Sequence, residues 1–173
     1  AVDHRAIDAT IGRRHKAAIL LARSGDEESG GKGEPALEFA RKAHAADPAF
    51  VPAAGRLARL LVRADKSRRA RRTIEEIWAK NPHRDLLAPY REACGMPDAL
   101  HWAQSVQRLA ETNRNHVESR LALAEAALGA QLWGVARQAL LGLVPARPSD
   151  VTADVLSQAC RLQATLEERE NAN

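Results

Sequence analysis

The chain reads as all-α, a stack of helix-turn-helix units. Three observations carry that reading. Alanine accounts for 35 of the 173 residues, and it has the best helix propensity and lets helix backbones approach closely. Aromatics are only 3% and β-branched residues are sparse, which disfavours a sandwich or barrel. No segment alternates apolar and polar residues over a useful length, whereas small and apolar residues recur with a period of 34.

The period sets the elements in order. Pro35 to Pro48 (PALEFARKAHAADP) overlies Arg69 to Pro82 (RARRTIEEIWAKNP) at a shift of 34, so that Ala36 meets Ala70, Ala40 meets Ile74, Ala43 meets Ile77 and Pro48 meets Pro82. The frame returns as Ala136, Leu140, Leu143 and Pro148. It returns more loosely as Trp102, Val106, Leu109 and Arg114, where a step of 32 marks two lost residues. Each unit holds two amphipathic helices. In the second unit Leu57, Leu60, Leu61 and Ala64 form one stripe, and Ala70, Ile74, Ile77 and Trp78 form another. Between them Ser67 can cap the next helix, and Pro82 stops it. In the fourth unit Leu121, Leu123, Ala124, Ala127 and Leu128 precede a turn at Gly129–Gln131, and Val135, Ala136, Leu140 and Leu143 follow it. The helices predicted lie near 3–24, 35–46, 50–64, 67–80, 84–94, 97–112, 115–129, 132–144 and 150–169. They form units at 3–48, 50–82, 84–114 and 115–148 with a terminal helix at 150–169, all within a single α-solenoid domain, 1–173. Residues 24–34 (SGDEESGGKGE around a Gly-rich centre) read as a flexible loop, because glycine and charge bury little apolar area.

Composition excludes several classes. With 45% apolar and 28% charged residues the chain is of globular type, and it has no apolar run of the length a membrane helix needs. No signal segment opens it, and Ala1 reads as the start of a cut fragment. Cys94 and Cys160 stand far apart with no C-x-x-C, which excludes a disulfide scaffold or zinc knuckle and points to a reducing compartment. Gly31-Lys32 is not a phosphate loop: position 26 is Asp, position 33 is Gly, and no strand precedes. The formal charge of +4 is local. Arg56, Arg59, Arg63, Lys66, Arg68, Arg69, Arg71 and Arg72 against Asp65 give that window +7 and leave −3 for the rest.

A 34-residue helix-turn-helix with small residues at the helix contacts and a closing proline resembles the tetratricopeptide repeat, most clearly over 35–61. The strings VPAAGRLARLL, IEEIWAKNPHRDLLAPY and NHVESRLALAEAALGAQLWGVARQALLGL, within Arg13 to Thr165, are similar to the HemY-type proteins of proteobacteria. That resemblance implies a right-handed superhelix of repeats. It also implies a non-catalytic protein–protein interaction scaffold, the soluble part of a protein held by two N-terminal membrane helices. The scaffold would lie at the cytoplasmic face of the bacterial inner membrane and be linked to haem or porphyrin metabolism. It further implies that the first helix of each unit lines a concave groove, which places Arg59, Arg63 and Glu125 at groove positions.

No residues support an enzyme: G-x-S-x-G, H-E-x-x-H and a dinucleotide turn are all absent. The six histidines (His4, His15, His44, His83, His101, His116) scatter over different units and read as structural or solvated. A porphyrin- or haem-binding carrier is the alternative function, with Cys94, Met96 and His101 as its only clustered ligand types. Capping explains the same residues: a helix end at Cys94, Gly95 in the left-handed region and Pro97 opening the next helix. No cofactor or metal is expected. Trp78, Trp102 and Trp133 read as packing residues. The basic window is the candidate binding surface. Its residues Arg56, Arg59, Arg63, Arg68, Arg69 and Arg72, with Glu125, are the predicted partner contacts, and an acidic protein segment or lipid headgroups are the anions considered. Arg71–Glu75 and Arg72–Glu76 are expected to pair at i, i+4. Nucleic acid is not expected, since no exposed aromatic interleaves with the arginines.

Overall fold

The computed structural model describes residues 4–143 and 153–171. Among the described residues there are nine α-helices, one 3-10 turn and no strand. In order they are α1 (His4–Ser29), α2 (Gly33–Ala46), α3 (Val51–Arg63), α4 (Ser67–Trp78), the 3-10 turn Arg84–Leu86, α5 (Leu87–Ala93), α6 (Ala99–Glu111), α7 (Val117–Gly129), α8 (Trp133–Leu140) and α9 (Ala153–Asn171). The fold is all-α and built of tetratricopeptide-like helix pairs, as the periodicity predicts.

The repeat is written into the backbone as well as the side chains. At the turn between the two helices of a pair, one residue adopts the left-handed conformation: Gly31 (φ 74), Asp65 (φ 58) and Gln131 (φ 59). At each, two amide groups turn back onto the helix just ended. Gly31 N–H reaches Glu28 O at 2.9 Å and Lys32 N–H reaches Glu27 O at 2.8 Å. Asp65 and Lys66 do the same with Val62 O (3.0 Å) and Leu61 O (2.8 Å). Gln131 and Leu132 repeat it with Leu128 O (3.1 Å) and Ala127 O (2.9 Å). This double bond satisfies carbonyls that the helix end would leave bare.

The chain divides into two compact units, Ala1–Asn81 with Asp85–Gly95, and Pro82–Arg84 with Met96–Asn173. In the first, the alanines of the period fill the contacts between helices: Ala36, Ala40, Ala43 and Ala70 are fully buried, with Ile74, Ile77 and Trp78. In the second, Leu121, Ala124 and Ala127 of α7 and Ala136 and Leu140 of α8 share a core with Ala159 and Leu166 of α9. Trp133 is half-buried against that core, and Trp102 of α6 is half-buried too.

Several boundaries differ from expectation for local physical reasons. The predicted flexible loop 24–34 is mostly helix. α1 runs on to Ser29, and only Gly30–Lys32 separates it from α2. Ser24 is fully buried, and its Oγ donates to Ala36 O at 2.8 Å. A tertiary hydrogen bond therefore orders a segment whose composition alone would not. Ser67 does not cap α4: the helix already begins at Ser67, and Lys66 holds the cap position with a side chain that has no acceptor to offer the first amides. The helix opened by Pro97 starts instead at Ala99, capped by Asp98. α8 stops at Leu140 rather than 144, two residues before Gly142 turns left-handed (φ 72). The end of the unit predicted at 115–148, with Pro148, and the start of the helix predicted at 150–169 lie outside the described residues.

Candidate partner-binding surface

The predicted arginines fall into two groups by what surrounds them. On α3, Arg56 and Arg63 lie two turns apart and both reach Glu28 near the end of α1. Arg56 Nη2 meets Glu28 Oε2 at 2.5 Å and donates to Ser24 O at 2.9 Å, while its Nε donates to Ser24 Oγ at 2.8 Å. Both side chains of this pair are mostly covered, 25% exposed for Arg56 and 29% for Glu28. Arg63 meets the other Glu28 oxygen. Arg59, one turn from each, approaches Glu92 of α5 at 3.8 Å, with both side chains nearly half exposed.

On α4 the surroundings change. Arg72 Nε donates to Glu76 Oε1 at 2.8 Å, the i, i+4 pair expected. The Glu75 carboxylate instead accepts from Tyr90 Oη at 3.3 Å. Arg68 and Arg69 are exposed, Lys66 and Arg71 are half-buried, and none of the four has an ion pair or side-chain hydrogen bond among the described residues. Glu125 belongs to the second unit, exposed on α7, where Gln158 of α9 donates to it at 3.5 Å.

Sequence reasoning missed Ser24 and Glu28, the two residues that organise α3's arginines. Their spacing fits the contact but does not single it out. Ser24 and Glu28 lie at i, i+4 on one helix face, opposite Arg56 and Arg63 at i, i+7, about one repeat period away. It also missed Asp47, which receives Arg14 and the amide of Ala49 (3.1 Å) while Arg14 stacks over Phe50 at 5.0 Å. His44, on α2, is half-buried with its Nδ1 lacking a hydrogen-bond partner. Burial pushes its pKa below the usual histidine value, against the opposing pull of Glu76 and Asp47.

The residues considered for haem form caps. Cys94 ends α5, Gly95 and Met96 are left-handed (φ 78 and 52), and Met96 is 64% exposed. Asp98 caps α6 by accepting His101 N–H at 3.0 Å, and its other oxygen lies 2.6 Å from His101 Nδ1. Those bonds hold the Asp98 carboxyl below its ordinary pKa. His116 caps α7 in the same manner, its Nδ1 accepting from Glu118 N–H at 3.2 Å. Among the described residues no three His, Cys, Asp or Glu side chains are grouped to hold a metal. No described helix is long and apolar enough to cross a membrane. In the second unit a cleft of about 760 Å³ is lined by residues of α6, α7 and α8, among them Ala110, Leu123, Val135 and Ala139 with Gln107 and Gln138.

With this geometry in place, the comparisons agree with the helix pairs. Residues 31–88, which run from just before α2 to the first residues of α5, match the tetratricopeptide repeat family. The chain has a tetratricopeptide-like fold. It is also 32% identical over 152 residues to the "Probable magnetosome protein Mms48" of Magnetospirillum gryphiswaldense. That alignment takes in 87% of this chain and 32% of the relative, so the chain spans about a third of the relative's length. No solved structure gives a significant match.

Proposed function

We propose that this tetratricopeptide-like chain is a non-catalytic scaffold that binds another protein. The observation that carries this reading is the helix pairs found within each unit. There the helices bury stripes of alanine and leucine against one another, and what remains is exposed helix face, the surface such folds use for recognition. Side chains arranged for acid–base or nucleophilic work do not figure in it: Asp98, His101 and His116 are engaged in capping. At the finer level, the scaffold is the soluble repeat region of a membrane-anchored protein, at the cytoplasmic face of a bacterial inner membrane, linked to haem or porphyrin metabolism. The support for that part is the resemblance of residues 13–165 to the HemY-type proteins. The magnetosome assignment in the relative's name is a second bacterial setting in which a chain of this kind is used.

The test is a pull-down from the source organism's membranes with this chain as bait, beside a haemin titration followed in the Soret band. The scaffold reading expects a protein that is retained in saturable proportion and a spectrum of free haemin. A saturable Soret shift at one haemin per chain, with no protein retained, would replace the scaffold with the carrier.

A further inference from the structure

The two helices of one repeat treat their arginines in opposite ways, and the repeat register shows how unusual the second of them is. Position 68 on α4 corresponds to position 34 on α2, and position 72 to position 38. On α2 these are Glu34 and Glu38, carboxylates near the positive end of the helix dipole, where negative charge is favoured. On α4 they are Arg68 and Arg72. The reversal is extended by Lys66, Arg69 and Arg71, and no acid occurs from position 66 to 74. Five like charges near the positive end of a helix repel one another and the dipole. Among the described residues only Arg72 is neutralised, through Glu76. Carboxylates are supplied one helix earlier, where Glu28 and Glu92 lie beside Arg56, Arg63 and Arg59. A cluster that costs stability and has no counter-charge among the described residues is the pattern of a functional surface.

We infer that the side chains of Lys66, Arg68, Arg69 and Arg71, at the α3–α4 turn and the first turns of α4, form a docking surface for an acidic peptide segment of a partner protein. The inference rests on the scaffold reading and names the partner's chemistry. Two other anions fit less well. A lipid surface presents negative charge continuously, and here Asp65 precedes the cluster while Glu75 and Glu76 follow it, so a flat anionic layer meets acids at both ends. Interfacial binding also requires apolar side chains to insert. The large exposed apolar side chains are Ile11, Ile19, Met96, Leu100, Val135 and Leu141, none of them on α3 or α4. Nucleic acid requires aromatic platforms for its bases or regular phosphate contacts. In this unit Trp78 and Tyr90 are buried, and Phe39 and Phe50 already lie beneath Arg23, Lys42 and Arg14. A short run of Asp and Glu matches the cluster in length and can pass between the flanking acids. Arginine also suits it, because its planar fork binds a carboxylate through two hydrogen bonds.

The experiment is fluorescence anisotropy of a labelled oligoglutamate peptide titrated with the full chain. The variants are Arg68→Gln/Arg69→Gln/Arg71→Gln and, as the control outside the basic window, Arg41→Gln on α2, where the arginine pairs with Glu38. Helical circular dichroism confirms that each variant is folded. The α4 variant is expected to bind at least about tenfold more weakly, while Arg41→Gln stays within about twofold of the parent chain. Equal affinity in the α4 variant overturns the inference, and so does an equal loss in Arg41→Gln. Tighter binding to phosphatidylglycerol vesicles or to a short DNA duplex than to the peptide overturns it as well. None of these results touches the scaffold reading, which fails only if the membrane pull-down retains no protein.

Discussion

On α3, Arg56 and Arg63 converge on one carboxylate, and Arg56 also ties down the backbone and hydroxyl of Ser24. On α4, one helix later, Arg68, Arg69 and Arg71 extend without a carboxylate. In sequence the two runs form a single basic window. In the structure the first is part of how α1 and α3 hold together, and the second is surface. The difference lies in what each helix faces: α3 packs beside the acidic end of α1, whereas the exposed side of α4 has only its own Glu75 and Glu76, two turns further on. Basic residues close in sequence therefore divide by tertiary neighbourhood, and net charge in a window does not distinguish a structural cation from an available one.

The sharpest way to break this comparison is to remove the acid on which α3 depends. Glu28→Gln leaves Arg56 largely covered and without its counter-charge, and it leaves Arg63 unpaired as well. It should lower unfolding free energy by about 2 kcal/mol, read as a reduced urea midpoint at unchanged slope. A loss no larger than that of an exposed pair would mean that Arg56 is not held as described. A smaller effect probes Glu76, which pairs with Arg72 and also faces His44. Burial lowers the His44 pKa below 6.5, so the unfolded chain takes up a proton that the folded chain resists. Stability is then complete above that value and declines as pH falls below it. The parent chain should lose stability as pH falls below about 6.5, and His44→Gln should be flatter over that range. An identical slope in the two proteins would assign the loss to other groups.

The helical period was legible because it is local. Ala36, Ala40, Ala43, Ala70, Ile74 and Ile77 stand at spacings that only a helix places on one face, and all are buried. The turns were legible in position but not in chemistry. Asp65 and Gln131 occupy left-handed backbone that composition assigns to glycine, as it does correctly for Gly95. The segment from Ser24 to Glu34 was misread because what orders it lies elsewhere in the chain: Ser24 is satisfied by Ala36 and Arg56, and Glu28 by Arg56 and Arg63. The same limit applied to the candidate surface. The arginines could be found from charge, but their partners Glu28 and Glu92 could not, since no local pattern links residues about a full repeat apart. The cleft in the second unit had no sequence signal at all, because its walls come from three helices brought together by tertiary contacts such as Arg120 donating to Ala139 O.

The central claim is that neutralising arginine has opposite consequences on the two helices, and urea unfolding of two variants tests it directly. Arg56→Gln should lower the midpoint, because it strips Ser24 and Glu28 of their donor. Arg68→Gln/Arg69→Gln should raise it, with a gain of about 0.5–1 kcal/mol from relieving charge against the helix dipole. Midpoints that shift in the same direction in both variants would contradict the account.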